Sequence, residues 1–157
     1  MYTIRRATVN DTESVLSLLR QVLEVHHKAR PDLFKGNVTK YTASELAVIF
    51  KDDDRPVFVL EREDGTIPGY AFCVMKDSVG SNILTDIKTL YIDDICVDES
   101  ARGQGVATAL FEYVKDYAAS CGCYNITLNV WEGNPGAIEF YKKMQMKPQK
   151  YGMEIIL

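Results

Sequence analysis

The run Arg102–Ala107 (RGQGVA) follows an apolar, strand-like segment and opens a segment with helical character. A strand that turns through glycines into a helix presents unpaired backbone N–H groups and the positive end of the helix dipole, which together suit a phosphate. Glycine fits there because a Cβ would hinder both a sharp turn and the close approach of a ligand. The alternative is that Gly103 and Gly105 only shape a tight turn, since glycine pairs are common in turns.

Two well-known phosphate loops do not match this run. A P-loop needs Lys and then Ser or Thr after its last glycine, whereas Val106 follows Gly105. A dinucleotide-binding loop needs a third glycine, and position 108 is Thr. It also needs an acidic residue at the end of the following strand, and segment 125–130 has none. The loop therefore suits a phosphate ester, but neither NTP hydrolysis nor NAD.

The composition is that of a globular protein. The chain has 157 residues, 46% of them apolar and 25% charged, which predicts a single domain over residues 1–157. No apolar run approaches the ~20 residues of a membrane span, and no signal-like segment opens the sequence, so we expect a cytoplasmic protein without a membrane partner. The net charge is −4 without a basic block, so nucleic acid is not an expected partner.

The four cysteines do not form a metal-binding pattern. Cys73 and Cys96 lie in apolar segments typical of small core residues, while Cys121 and Cys123 flank Gly122 without a matching His or Cys pair. We therefore expect no metal.

The order of periodic segments predicts an α/β protein. The segments are strand 2–7, helix 10–30, helix 42–50, strands 57–63, 67–76 and 87–97, helix 107–120, strand 124–130, helix 134–144 and a last strand at 147–157. These elements predict one α/β layer with a mixed sheet.

This order, the glycine loop and the segment Asn134–Tyr141 (NPGAIEFY) together resemble the GNAT superfamily of acyl-CoA-dependent N-acetyltransferases. The family's loop pattern is Gln/Arg-x-x-Gly-x-Gly/Ala, and its later pattern is an Asn near a helix start followed by Phe-Tyr. The resemblance covers nearly the whole chain. It implies a mostly antiparallel sheet whose central strands splay apart, flanked by about four helices.

The resemblance also implies acetyl-CoA as co-substrate. Backbone N–H groups of residues 104–108 would bind its pyrophosphate, and backbone groups of Ile95 and Val97 would pair with its pantetheine as an added strand does. The positions that match cofactor binding are Ile95, Cys96, Val97, Arg102, Gly103, Gln104, Gly105, Val106, Ala107, Thr108, Asn134 and Tyr141. Asn134 is also expected to cap the last helix.

For catalysis, the resemblance assigns Tyr141 as the proton donor to the leaving thiolate, with an ordinary core aromatic as the alternative. Asp93 is the first candidate for handling the amine, because polyamine-acetylating members carry an acid there, and Asp94 is the second. Successive strand residues point to opposite faces, so only one of the two is expected to face the acetyl group. An ion-paired sheet carboxylate is the alternative for either.

The sequence carries less specific signals for the residues that bind the acceptor than for those that bind the cofactor. His26, His27, Arg30, Phe34 and Trp131 match the region that walls the acceptor site in the family, although ordinary loop or helix-end roles remain the alternative. The expected acceptor is a small primary amine. Protein N-termini or lysines, or a CoA-binding domain without turnover, are the alternatives. Asn129 stands where members that acetylate protein N-termini have a glutamate base.

Two features concern the end of the chain. Gln145 stands where the family usually has a glycine in the left-handed conformation, at an expected cost of ~1 kcal/mol. The apolar last strand could serve a homodimer.

Overall fold

The strands and helices arise where the apolar periodicity predicts them. In the computed structural model, which describes residues 1–157, the strands are β1 (Tyr2–Arg6), β2 (Val57–Arg62), β3 (Gly69–Asp77), β4 (Lys88–Val97) and β5 (Asn125–Leu128). The helices are α1 (Thr12–Ala29), α2 (Ala43–Ile49), α3 (Val106–Ser120) and α4 (Pro135–Lys143). None of them is both long and apolar enough to cross a membrane.

The strands form one sheet in the order β1-β2-β3-β4-β5. Neighbours from β1 to β4 are antiparallel, and β4 and β5 are parallel. The prediction of a mixed, mostly antiparallel sheet with four helices is confirmed.

Two hydrophobic cores cover the two faces of the sheet. One face buries Tyr70 and Phe72 beneath α1 and α2, and the other buries Phe58 and Ala71 beneath α3. Each fully buried side chain of this size stabilises the fold by about 1.5–3 kcal/mol. The strands β2 and β3 therefore form the buried centre of the sheet, and β3 pairs directly with β4.

The pairing of β3 with β4 contains a β-bulge. Phe72 lies opposite Asp94 and Cys73 lies opposite Ile92, which leaves Asp93 as the extra residue of β4. Ile92 packs in the core beneath α3, whereas Cys96 packs in the core beneath α1. The even-numbered residues of β4 therefore point to the face covered by α3 before the bulge, and to the face covered by α1 after it.

The strands β4 and β5 separate at the same place. Their last paired residues are Ile92 and Leu128, while β4 continues through residues 93–97 without a neighbour on that side. The predicted splay of the central strands is confirmed. It leaves a stretch of β4 whose outer backbone edge is free to bind an extended ligand.

The predicted last strand is wrong. Residues 147–157 contain no strand and make no backbone hydrogen bond within the chain, and Tyr151, Met153, Ile155 and Ile156 are exposed. An ion pair between Glu154 and Arg30 connects the segment to the end of α1. The apolar residues favour an extended conformation, but a strand also needs an edge to pair with, and this chain does not bring the segment to one.

Candidate active site

The glycine loop sits between β4 and α3. The carboxylate of Asp98 accepts a hydrogen bond of 2.9 Å from the backbone N–H of Ser100 and closes a short 3-10 turn. Gly103 and Gly105 follow with φ of +75° and +80°, a conformation that other residues rarely adopt. A Cβ at either position would meet no protein atom within 4 Å. Backbone conformation, not packing, therefore requires glycine here.

The loop gathers free backbone donors. The N–H groups of residues 103–108 have no hydrogen-bond partner in the chain, and the last three of them open α3. The side chain of Gln104 is held by Ser100 O at 3.1 Å and by Nη2 of Arg62 at 2.7 Å. Free donors at the positive end of a helix suit a phosphate group, as the glycine loop predicts.

The free edge of β4 leads away from this loop. Its other edge is occupied by β3, where Ile95 pairs with Ala71 and Val97 with Gly69. The Cys96 thiol is buried and lies 3.4 Å from Leu18 O, so that residue offers a ligand only its backbone.

Asp93 and Asp94 lie on the same face of the sheet, so the expectation that they point to opposite faces is wrong. The bulge is the reason, because the extra residue breaks the alternation of side chains. Asp93 Oδ2 accepts a hydrogen bond of 2.6 Å from Nζ of Lys40, and Asp94 Oδ2 accepts one of 2.6 Å from the hydroxyl of Tyr70. Both carboxylates therefore face the side of α1 and α2.

The two carboxylates differ in their surroundings. Burial raises the pKa of Asp94 to about 6, the hydrogen bond from Tyr70 opposes that rise, and the charge of Asp93 adds to it. A carboxylate with a pKa near the working pH is a better proton acceptor than one at the usual value. Asp93 instead forms an ion pair with Lys40 and keeps about a quarter of its side chain exposed.

Tyr141 lies on α4 against the aromatic rings of Phe140 and Phe111, at centroid distances of 5.1 and 6.4 Å. Burial raises the pKa of Tyr141, and the negative charge of Asp94 raises it further. The phenol therefore keeps its proton at neutral pH. Asn134 caps α4 by accepting a hydrogen bond of 3.3 Å from Ala137 N, so its predicted cap is confirmed.

The predicted acceptor wall comes together at the end of α1. The ring of Phe34 lies 5.1 Å from the ring of His26 and 5.5 Å, edge to face, from that of Trp131. The guanidinium of Arg30 lies 5.9 Å from the Trp131 ring. His27 Nδ1 donates a hydrogen bond of 2.6 Å to Phe34 O. Burial and the charge of Lys40 lower the pKa of His26, so its imidazole is neutral at pH 7.

The model of the acetyltransferase (GNAT) family matches residues 19–146. This chain belongs to the GNAT acetyltransferase family. The resemblance that the glycine loop and the NPGAIEFY segment suggested is thereby confirmed.

Relatives in the family agree with the fold. The structure of a mutant of the BH1408 protein from Bacillus halodurans has a TM-score of 0.94, is 34% identical and covers 99% of both chains. An uncharacterized N-acetyltransferase of Methanocaldococcus jannaschii is 31% identical over 91% of this chain, which spans only 59% of that protein. The peptidyl-lysine N-acetyltransferase YjaB of Salmonella typhimurium is 27% identical over 94% of this chain and 84% of its own length.

Sequence reasoning missed three side chains of this GNAT site. Lys40 is 53 residues from Asp93, Tyr70 is 24 residues from Asp94, and Arg62 is 42 residues from Gln104. No local spacing connects such pairs, because each depends on the register of the sheet or on the path of a loop.

Proposed function

We propose that this protein transfers an acetyl group from acetyl-CoA to the primary amine of a small molecule, by direct attack within a ternary complex. The observation that carries the proposal is the occurrence of three features on β4 and the loop that follows it. They are the free N–H groups of residues 103–108, the free edge of residues 93–97, and Asp94, whose charge acts on Tyr141.

Acetyl-CoA fits this arrangement from end to end. The loop amides bind its diphosphate, and the exposed side chain of Arg102 lies beside them. The pantetheine amides pair with the free edge of β4 at Ile95 and Val97, as an added strand would. The thioester then lies at the point where β4 and β5 separate, near the carboxylates.

The acceptor must lose a proton before it attacks. An alkylammonium has a pKa near 10.4, so only ~0.1% is neutral at pH 7.4, a cost of roughly 4 kcal/mol. We assign the proton acceptor to Asp94 and not to Asp93, because Asp93 already forms an ion pair with Lys40. The pKa of Asp94, about 6, leaves it ionised at neutral pH yet basic enough to accept a proton.

The leaving thiolate must gain a proton. Tyr141 is the donor in this proposal, and its phenol is protonated throughout the physiological range because burial raises its pKa. In the same step the negative charge on the acetyl oxygen is stabilised by a backbone N–H of β4.

The acceptor enters along His26, His27, Arg30, Phe34 and Trp131. Aromatic faces bind the alkyl part of an amine and attract its cationic form. A lysine side chain in a peptide would also fit, and the peptidyl-lysine activity named for the Salmonella relative favours this second candidate. The site is less suited to acetylating protein N-termini by the mechanism that uses a glutamate base at this position. Asn129 stands there instead, donates a hydrogen bond of 3.3 Å to the Tyr91 hydroxyl and cannot serve as a base.

A homodimer is part of the proposal. Each chain has an unpaired outer edge on β5 and an unpaired apolar segment at residues 147–157. In a two-fold dimer, the segment of one copy can pair with the β5 edge of the other. The symmetry repeats this contact, so the free edge and the free segment of both copies are paired. Light scattering should give twice the chain mass, and deletion of residues 151–157 should give the mass of one chain.

The decisive experiment measures thiol release from acetyl-CoA across a panel of small amines and lysine peptides. Release with small amines supports the proposal, and release with peptides alone favours the second candidate. Heat of CoA binding without release by any acceptor would indicate a binding domain and overturn the catalytic proposal.

A further inference from the structure

We propose that Lys40 is itself an acceptor, and that the protein acetylates this side chain within its own active site. The inference rests on the proposed acetyl transfer but names a modification site that the reaction with external amines does not require. It follows from where the fold places one primary amine of the chain.

The amine of Lys40 contacts one of the two carboxylates of the site, Asp93. Its Nζ lies 2.6 Å from Asp93 Oδ2, and Asp93 is the first residue of β4 beyond the last pair with β5. That is the point where the free edge of β4 begins.

The loop around Lys40 is fixed rather than free. On one side, His27 bonds to Phe34 O at 2.6 Å. On the other side, the ring of Tyr41 stacks on Phe72 at 5.7 Å with an interplanar angle of 20°. The capping box of α2 begins one residue later, at Thr42. The chain on both sides of Lys40 is therefore anchored, while the Lys40 side chain itself is about half exposed and reaches Asp93.

Other lysines make different contacts. Lys142 pairs with Glu139 at 3.2 Å, and Lys115 pairs with Glu112 at 2.7 Å, each within its own exposed helix surface. Lys28 lies 4.0 Å from Glu24 on α1. Lys40 alone among these paired lysines reaches a carboxylate of the splayed strands.

The reaction balances with groups already named. Asp93 takes one proton from the Lys40 ammonium, and the neutral amine attacks the thioester carbonyl. The C–N bond forms as the C–S bond breaks, the nitrogen releases its second proton to water, and Tyr141 gives its proton to the leaving thiolate. The products are acetyl-Lys40 and CoA with a free thiol, and the two protein groups exchange protons with water afterwards.

The modification would change the site. An acetylated Lys40 no longer carries the charge that holds Asp93, and its amide remains beside the acceptor wall. Each chain can react only once, so self-acetylation appears as a stoichiometric event and not as turnover.

The test incubates the full-length protein with acetyl-CoA, without any amine, and follows intact mass and fragment masses over time. We expect one acetyl group per chain at Lys40, with a first-order rate constant that does not change over a ten-fold range of protein concentration. Lys40→Arg should abolish the modification and keep an ion pair with Asp93. The matched control Lys142→Arg should leave it unchanged, and Tyr141→Phe should slow it at least ten-fold.

Several results would overturn the proposal. These are acetyl groups spread over surface lysines, a rate that rises with protein concentration, and labelling of Lys40 that Tyr141→Phe does not slow. If external amines are acetylated and Lys40 stays unmodified, the self-acetylation fails and the proposed function stands. If the protein does not bind acetyl-CoA at all, the proposed function falls as well.

Discussion

The hydroxyl of Tyr70 donates a hydrogen bond of 2.6 Å to the carboxylate of Asp94 from beneath the cleft. Tyr70 is fully buried, and burial raises its pKa well above the usual value, so the phenol is always the donor. The bond fixes one oxygen of Asp94 and favours its ionised form. It thereby limits the rise in pKa that burial imposes on this carboxyl.

Replacing Tyr70 by Phe should shift the pH dependence of the reaction. In the native protein, kcat/KM should fall as the pH drops through about 6, because the pKa of Asp94 lies there and its protonated form cannot accept a proton. Tyr70→Phe removes the hydrogen bond that favours the carboxylate, so the acidic limb should move to higher pH. The ring contact with Phe72, at 4.9 Å, is retained in the variant. If the acidic limb of the pH profile does not move in Tyr70→Phe, Asp94 is not the group that titrates.

Asp94→Asn should abolish most activity and stabilise the fold at neutral pH. The folded-state pKa of Asp94 is about 6 against an ordinary 3.8, so the folded protein binds the proton more tightly than the unfolded chain. Stability therefore falls as the pH rises from about 4 to 6, and above 6 the ionised carboxyl costs roughly 1–3 kcal/mol. Asn removes that charge and still accepts from Tyr70.

Urea unfolding at two pH values measures this effect. The variant should be more stable than the native protein at pH 7, and the difference should shrink at pH 4, where the native carboxyl is protonated in the folded state. Equal free energies of unfolding at pH 7 would contradict the raised pKa.

Local sequence patterns predict the helices and strands, but they do not predict the direction in which Asp93 and Asp94 point. The spacing of Leu16 and Leu19 in α1, both buried, predicts the helix and its inner face. The face of the sheet to which Asp93 and Asp94 point depends on a bulge, and only the pairing of β3 with β4 reveals that bulge. The strand at residues 147–157 was predicted from its apolar residues, but a strand forms only where an edge accepts it.

The residues around the acceptor site also differ in whether the sequence could predict them. Family resemblance pointed to His26 and Trp131, and the fold brings both against Phe34. The ion pair of Lys40 with Asp93 has no counterpart in local spacing, because the two residues are 53 positions apart in the chain. Long-range contacts of this kind are set by tertiary packing and lie outside what periodicity can predict.

Gly105→Glu should abolish the binding of coenzyme A. The change places a side chain and a negative charge among the free N–H groups of residues 103–108, where the diphosphate is proposed to bind. Gly80→Glu is the matched control, because Gly80 has a φ of +79° against +80° for Gly105, and neither Cβ would meet a protein atom within 4 Å. The two variants should lose similar stability, while calorimetry should detect coenzyme A binding only to the control. Normal binding by Gly105→Glu would remove the loop from the site.

Gln145→Gly should stabilise the protein. Gln145 follows α4 with a φ of +68°, which confirms that it takes the left-handed conformation usual for glycine at this place. Relief of that strain, less the greater freedom of glycine in the unfolded chain, should add up to about 1 kcal/mol to the free energy of unfolding. Gln149→Gly, in the exposed segment after α4, should add nothing. Loss of stability in Gln145→Gly would mean that the side chain has a role that offsets its strain.

Tyr141→Phe should lower kcat by ~10²-fold or more and leave the affinity for coenzyme A near normal, as expected for the loss of one general acid. The ring contacts with Phe140 and Phe111 remain, so the position of α4 should not change. Tyr113→Phe is a suitable control, since that hydroxyl lies on α3 and its ring packs on Phe58 of β2, two strands away from β4. Steady-state kinetics with acetyl-CoA and the best acceptor, together with CoA calorimetry, separate the two effects. If kcat is unchanged, the thiolate takes its proton from another group and Tyr141 is a packing residue of α4.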